Sequence, residues 1–156
     1  MNGNDHQNIY CRTQNCFILD IKRIKIKSAA DERGTLSFLE NTAEETGVPF
    51  RYERVFWIYN VPECAERGEH AHRTCAEFFV ALHGSCDIEL NDGRKSAVVH
   101  LDKPDEGIVI PAMIWCRLYN FSQDFVGLCL ASQHYTPEGY INDFSVFQRE
   151  VSHSNI

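Results

Sequence analysis

The stretch Arg67-Gly68-Glu69-His70-Ala71-His72 decides how this chain is read. Side chains on a strand alternate with period two, so His70 and His72 point to one face. Glu77 follows five residues after His72, and Gly84 seven residues after that. Two imidazoles on one face with a carboxylate close by suit either of two chemistries. They can ligate a metal ion, or they can move protons between neighbouring atoms.

The segments around this stretch read as short strands. Phe17, Leu19 and Ile21 alternate, then slip a register to Ile24 and Ile26, which predicts one bulged strand or two short ones. Asp31-Glu32-Arg33-Gly34 is a turn, 35–40 a strand, and 42–49 a polar loop closed by Pro49. The aromatic and β-branched run over 52–61 predicts a buried strand. Further strands are expected over 77–82, 86–90, 97–101, 107–110, 115–119 and 126–131. His83-Gly84 and Asn91-Asp92-Gly93 supply turns, the latter because Asn and Gly accept positive φ. This spacing predicts an all-β fold, a barrel or a two-sheet jelly roll, rather than βαβ units. Only the tail changes period. Thr136 as cap, Pro137 in the first turn, and Tyr140, Ile141, Phe144 and Phe147 at helical spacing predict one short C-terminal helix outside the β core.

Composition narrows the function. A chain of 156 residues with 44% hydrophobic and 12% aromatic content fits one domain with a substantial core. A net charge of −7 argues against general binding to nucleic acid or anionic membranes. No apolar run reaches membrane-spanning length, and the polar start is unlike a secretory signal. The seven cysteines lack Cys-x-x-Cys pairing and read mostly as reduced core thiols of a cytoplasmic protein. The expected division is a flexible leader over 1–16, one domain over 17–150, and a tail over 151–156.

The pattern His70-x-His72-x4-Glu77-x6-Gly84 resembles the first signature of the cupin superfamily, apart from its leading glycine. Pro111, Cys116 and Asn120 stand at the offsets of the second signature, with cysteine where histidine is usual. The resemblance implies a single cupin, a jelly-roll β-barrel. In metallocupins His70, His72 and Glu77 would be ligands, with Cys116 a possible thiolate for a soft metal.

A narrower resemblance covers about residues 20 to 150. Asp31-Glu32-Arg33-Gly34, Arg54-Val55-Phe56-Trp57-Ile58-Tyr59, the Arg67–His72 run, Gly84-Ser85-Cys86 and Asn91-Asp92-Gly93 resemble the sugar 3,4-ketoisomerases, which are WxcM-like cupins. Pro111-Ala112-Met113-Ile114-Trp115, Asn120-Phe121-Ser122 and Leu130-Ala131-Ser132 through Tyr135 extend the match. The resemblance implies an enzyme that moves the keto group of dTDP-4-keto-6-deoxyglucose from C4 to C3, with no metal and no cofactor. Its product would feed deoxyamino-sugar synthesis for surface glycans such as lipopolysaccharide or an S-layer. A homodimer is also implied, with an N-terminal strand crossing between subunits.

The keto shift needs a base, an acid and a partner for the developing oxyanion. His70 and His72 fit as the proton-transfer pair, their order undecided. Arg33 is expected to steady an oxyanion or phosphate and to favour the galacto product, although a solvated turn arginine fits equally. Arg67 is expected on the diphosphate, with an ion pair to Glu66 or Glu69 as the structural alternative. Glu77 completes the binding set by orienting a histidine. Trp115 is a candidate pocket wall or a core residue, and Cys116 a substrate contact whose departure from histidine bears on the C4 outcome. Tyr52, Tyr59, Tyr119 and Tyr135 cannot be ranked by spacing, while His83, His100 and His134 read as structural. Two further readings stand beside the isomerase. One is a metal-dependent cupin oxygenase or isomerase; the other is a binding protein for sugar nucleotides without catalysis.

Overall fold

In the computed structural model, residues 21–41 and 47–153 are described. Twelve strands run in chain order: β1 Arg23–Lys25, β2 Lys27–Asp31, β3 Gly34–Phe38, β4 Arg54–Tyr59, β5 Arg67–His72, β6 Glu77–His83, β7 Cys86–Asn91, β8 Ser96–Leu101, β9 Glu106–Ile110, β10 Trp115–Tyr119, β11 Val126–Ala131 and β12 Tyr140–Ile141. One helix, α1 Phe144–His153, closes the described chain. The strands form two five-stranded sheets, ordered β1-β9-β6-β11-β4 and β12-β5-β10-β7-β8, while β2 and β3 pair only with each other. All pairings are antiparallel. The two large sheets are separate hydrogen-bonded units, a jelly roll rather than a closed barrel.

Alternation explains the core. Phe79 and Ala81 of β6, Ile88 and Leu90 of β7, Ile108 and Ile110 of β9, Leu118 of β10 and Cys129 of β11 form one buried cluster. Phe78 and Val80 of the same β6 pack on the opposite face with Ile24, Ile26, Val48, Val109 and Leu130. Covered on both faces, β6 reads as the unbroken apolar run Phe78-Phe79-Val80-Ala81-Leu82. The turns follow their residue chemistry. Asn91 and Asp92 accept hydrogen bonds from the Gly93, Arg94 and Lys95 amides between β7 and β8. At Gly84, with φ +65, an added Cβ would lie 2.1 Å from Ser122 Oγ.

Several expectations are corrected. The strand expected to start at Phe17 falls partly outside the described residues; from residue 21 the slip resolves into β1, paired with β9, and the separate β2–β3 hairpin. The strand over 52–61 is not buried on both sides. Val55, Trp57 and Tyr59 are exposed, because β4 is a sheet edge and nothing among the described residues covers its outer face. The C-terminal helix starts later than Thr136. Residues 137–139 make one 3₁₀ turn, Tyr140 and Ile141 pair with His72 and Ala71, and Asp143 caps α1 through the Ser145 and Val146 amides. The helix runs to His153, so the domain continues past 150, with Val151 packed over Gly93. The helix does lie outside the main core, with Phe147 buried against Ala71 and Ile141.

Among the described residues no disulfide forms. Cys75, Cys86, Cys116 and Cys129 are buried thiols and Cys64 is an exposed one.

Candidate active site

The site is built on an irregular β5. Against β10, His70 stands opposite Cys116, Gly68 opposite Arg117 and Arg67 opposite Leu118, so one extra residue is accommodated at Glu69. Gly68 (φ +81) and Glu69 (φ +54) both adopt the left-handed region that this bulge requires. Opposed residues share a face, and both Cys116 and Leu118 point into the interior. In this register Arg67 stands opposite Leu118, with two residues between it and His70, and its side chain is exposed. A side chain on Gly68 would meet the Cys116 carbonyl oxygen at 2.8 Å, which fixes glycine there.

His70 Nδ1 lies 2.9 Å from the Gly68 carbonyl oxygen. Only a protonated Nδ1 can donate to that oxygen, so Nε2 carries the free lone pair. Burial holds the His70 pKa below its ordinary value, outweighing the Gly68 bond, which pulls the other way. His70 is thus poised as a neutral base near neutral pH. His72 is 6% exposed, and its ring stands edge-on to His70 with centroids 5.0 Å apart. Its Nε2 lies 3.1 Å from Glu77 Oε1 without a hydrogen bond between them, and finds no hydrogen-bond partner among the described residues.

Glu77 is buried beneath the histidines. Ala131 pairs with Glu77 on one side and Arg54 on the other, so the three residues form a row across β6, β11 and β4. The small Ala131 side chain lets Arg54 reach across the intervening strand, bringing its Nη2 within 3.8 Å of Glu77 Oε1. Arg54 also stacks over Phe56 and Tyr135, and its charge acts on the Tyr140 hydroxyl. The Tyr140 ring packs 4.3 Å from His72 and 4.9 Å from His70.

The expected residues divide. His70, His72 and Glu77 are brought together, with one donor atom of each within 4.8 Å of the others. Arg67 lies exposed at the end of β5. It makes no ion pair among the described residues, because Glu66 is taken by Arg117 at 2.9 Å. Cys116 faces the interior opposite His70 and is 4% exposed, with its thiol pKa raised strongly by burial. Trp115, the next residue, must point the other way. It packs on Phe144 and Phe147 under α1 and does not line the histidine face. Arg33 sits at the tip of the β2–β3 hairpin, bonded to Asp31 and otherwise exposed. His83, His100 and His134 are surface residues paired with Asp124, Asp87 and Glu53.

Arg54 and Tyr140 were not singled out from the sequence. Arg54 was visible only as part of an apolar strand, and its use depends on a neighbour two strands away. Tyr140 was masked by a helical spacing that its pairing with His72 overrides.

The donors His70, His72 and Glu77 have the chemistry of a metal site, but their surroundings fit one poorly. Arg54 places a fixed cation near the carboxylate that a metal would need.

Comparison with known proteins agrees with this geometry. The family model described as "WxcM-like, C-terminal" matches residues 19–152. A TDP-4-oxo-6-deoxy-alpha-D-glucose-3,4-oxoisomerase from Aneurinibacillus thermoaerophilus is 32% identical over 138 residues, covering 88% of this chain and 97% of that protein. The crystal structure of QdtA, a sugar 3,4-ketoisomerase from Thermoanaerobacterium thermosaccharolyticum in complex with TDP, superposes with a TM-score of 0.83. It shares 27% identity and covers 89% of this chain and 99% of its own. A 3,4-ketoisomerase from Helicobacter canadensis gives a TM-score of 0.81 at 36% identity, over 85% of this chain and 98% of its own. With the family model and a relative 32% identical over most of both chains in agreement, the chain belongs to the WxcM-like family of sugar 3,4-ketoisomerases.

Proposed function

We propose that this protein converts dTDP-4-keto-6-deoxyglucose into its 3-keto isomer. The observation that carries this is His70, held as a free base beside His72 on one polar face of an otherwise apolar interior. A QdtA variant with histidine changed to asparagine was crystallised with TDP-4-keto-6-deoxyglucose, which supports this substrate class.

His70 Nε2 takes the proton from C3, which the neighbouring C4 carbonyl acidifies. The C3–H electron pair forms the C3=C4 double bond, and the C4 carbonyl pair moves to its oxygen, giving an enediolate. A proton is then delivered to C4, while the C3 hydroxyl loses its proton and becomes the carbonyl. Every proton removed is returned and no electron leaves the sugar. His72, braced by Glu77, holds the His70 ring in place and exchanges protons with the sugar oxygens. Arg67, exposed at the start of β5, binds the diphosphate. Cys116 contributes an apolar floor in place of the usual polar side chain.

The protein acts as a homodimer. The hairpin β2–β3 packs on neither large sheet by strand pairing, and it exposes Leu36 and Phe38. The outer face of β4 exposes Val55, Trp57 and Tyr59. A second copy that covers these faces would place the Arg33 hairpin against its neighbour. The reading includes a cytoplasmic setting, with the 3-keto product consumed by an amino-transfer reaction towards surface glycans.

The test is product NMR after incubation with dTDP-4-keto-6-deoxyglucose in D₂O. A 3-keto product carrying deuterium at C4 is expected, and the C4 configuration is read from the same spectrum, Arg33 favouring galacto. Recovery of unchanged substrate without deuterium at C3 would sink the assignment.

A further inference from the structure

We propose that Tyr140 is a catalytic residue, its hydroxyl donating a hydrogen bond to the sugar oxygen that becomes anionic in the enediolate. This rests on the isomerase reading and adds an oxyanion partner within the histidine site itself.

Three observations lead there. Tyr140 stands in register with His72 across β12 and β5, so both side chains face the site. Its ring lies against both histidines, which brings it to the carbons they act on. The Arg54 charge acts on its hydroxyl, and a guanidinium can only donate. Towards Arg54 the Tyr140 oxygen can only accept, so its own proton is left to point elsewhere. The Arg54 charge also polarises the O–H bond, which strengthens the donor. Arg54 itself is held by Glu77, by the rings of Phe56 and Tyr135, and by burial. Groups positioned before the reaction are those that stabilise a developing charge well.

The placement of Tyr140 is also built in. Arg73 donates to the carbonyl oxygens of Glu138 and Tyr140 and is tied to Glu150 of α1. The Arg73 amide donates in turn to the Gly139 carbonyl oxygen. One arginine thus fastens both sides of a two-residue strand that pairing alone would hold weakly.

The test begins with wild-type turnover, since failure there refutes the isomerase reading and not the role of Tyr140. Given turnover, Tyr140→Phe keeps the ring and removes the donor. The expected result is a fall in kcat of about 10²-fold, typical of losing one oxyanion donor, with KM and TDP affinity nearly unchanged. A wild-type kcat, or a loss confined to KM, would overturn the proposal. Replacing Tyr140 by a ring-fluorinated tyrosine provides a second readout should the Phe variant fold poorly. Burial raises the Tyr140 pKa above its ordinary value, so the alkaline limb of kcat should lie beyond the usual range in wild type. Fluorination should move that limb to lower pH. A limb that does not move would equally refute a hydroxyl role.

Discussion

At the scale of single residues, the site depends on how one lone pair is presented. The Gly68 carbonyl fixes the His70 tautomer, and that carbonyl is available because the bulge at Gly68 and Glu69 turns the backbone towards the ring. His70→Asn should abolish turnover while leaving TDP affinity within a few-fold, as titration calorimetry would show. A variant retaining most of the rate would remove His70 from the mechanism. The pH profile tests the same residue without mutation. Because the His70 pKa is lowered, the ring stays neutral as pH falls through about 6.5, the ordinary imidazole value. It gains a proton, and activity is lost, only below that. The acid limb of kcat/KM should therefore lie under pH ~6.5; a limb above it would contradict the burial effect. His70 and His72 were legible from sequence because period-two alternation needs no tertiary knowledge. Arg67 was legible only by resemblance, since the bulge between it and the histidines breaks the alternation. Trp115 shows the converse. Once Cys116 faces the interior, its neighbour must face the helix.

At the scale of elements, the two-residue β12 and the helix behind it decide whether the site is complete. The strands of the two large sheets were readable because each carries its own pattern of buried and exposed residues. β12 was not readable, because two residues hold no period and its pairing with His72 and Ala71 is supplied from elsewhere in the chain. Asp143 then starts α1, and Phe147 anchors it against Ala71 and Ile141. Ala71 alternates with His70 and His72, so the helix grips the back of the catalytic strand. Phe147→Ala removes a fully buried ring and should cost about 3–5 kcal/mol in urea unfolding. Part of that loss should appear as poorer positioning of Tyr140, lowering kcat even where the protein remains folded. Stability within about 1 kcal/mol of wild type would show that the helix is not coupled to the sheet.

At the scale of the whole molecule, the exposed apolar residues are not scattered. Val55, Trp57 and Tyr59 alternate along one face of the edge strand β4, and Leu36 and Phe38 sit on a hairpin that belongs to neither large sheet. Isolated surface leucines need no explanation, but a stripe on an open sheet edge does. Ser28 and Ser37 bond across the hairpin, so it keeps its shape without support from the large sheets. A two-fold axis pairs like surfaces, so one stripe would be buried twice. Sedimentation velocity should show a dimer for the wild-type protein. Trp57→Glu would place a charge in that contact and should shift the population towards monomer, with the far-ultraviolet circular dichroism unchanged. If the variant stays dimeric, the contact lies on another face; if the wild-type protein is monomeric, the hairpin has no partner to cross to. Activity of the separated monomer then decides the place of Arg33. Held by Asp31 alone among the described residues, it can serve the reaction only in an assembly that brings the hairpin to a histidine face, so a fully active monomer would leave it a surface residue.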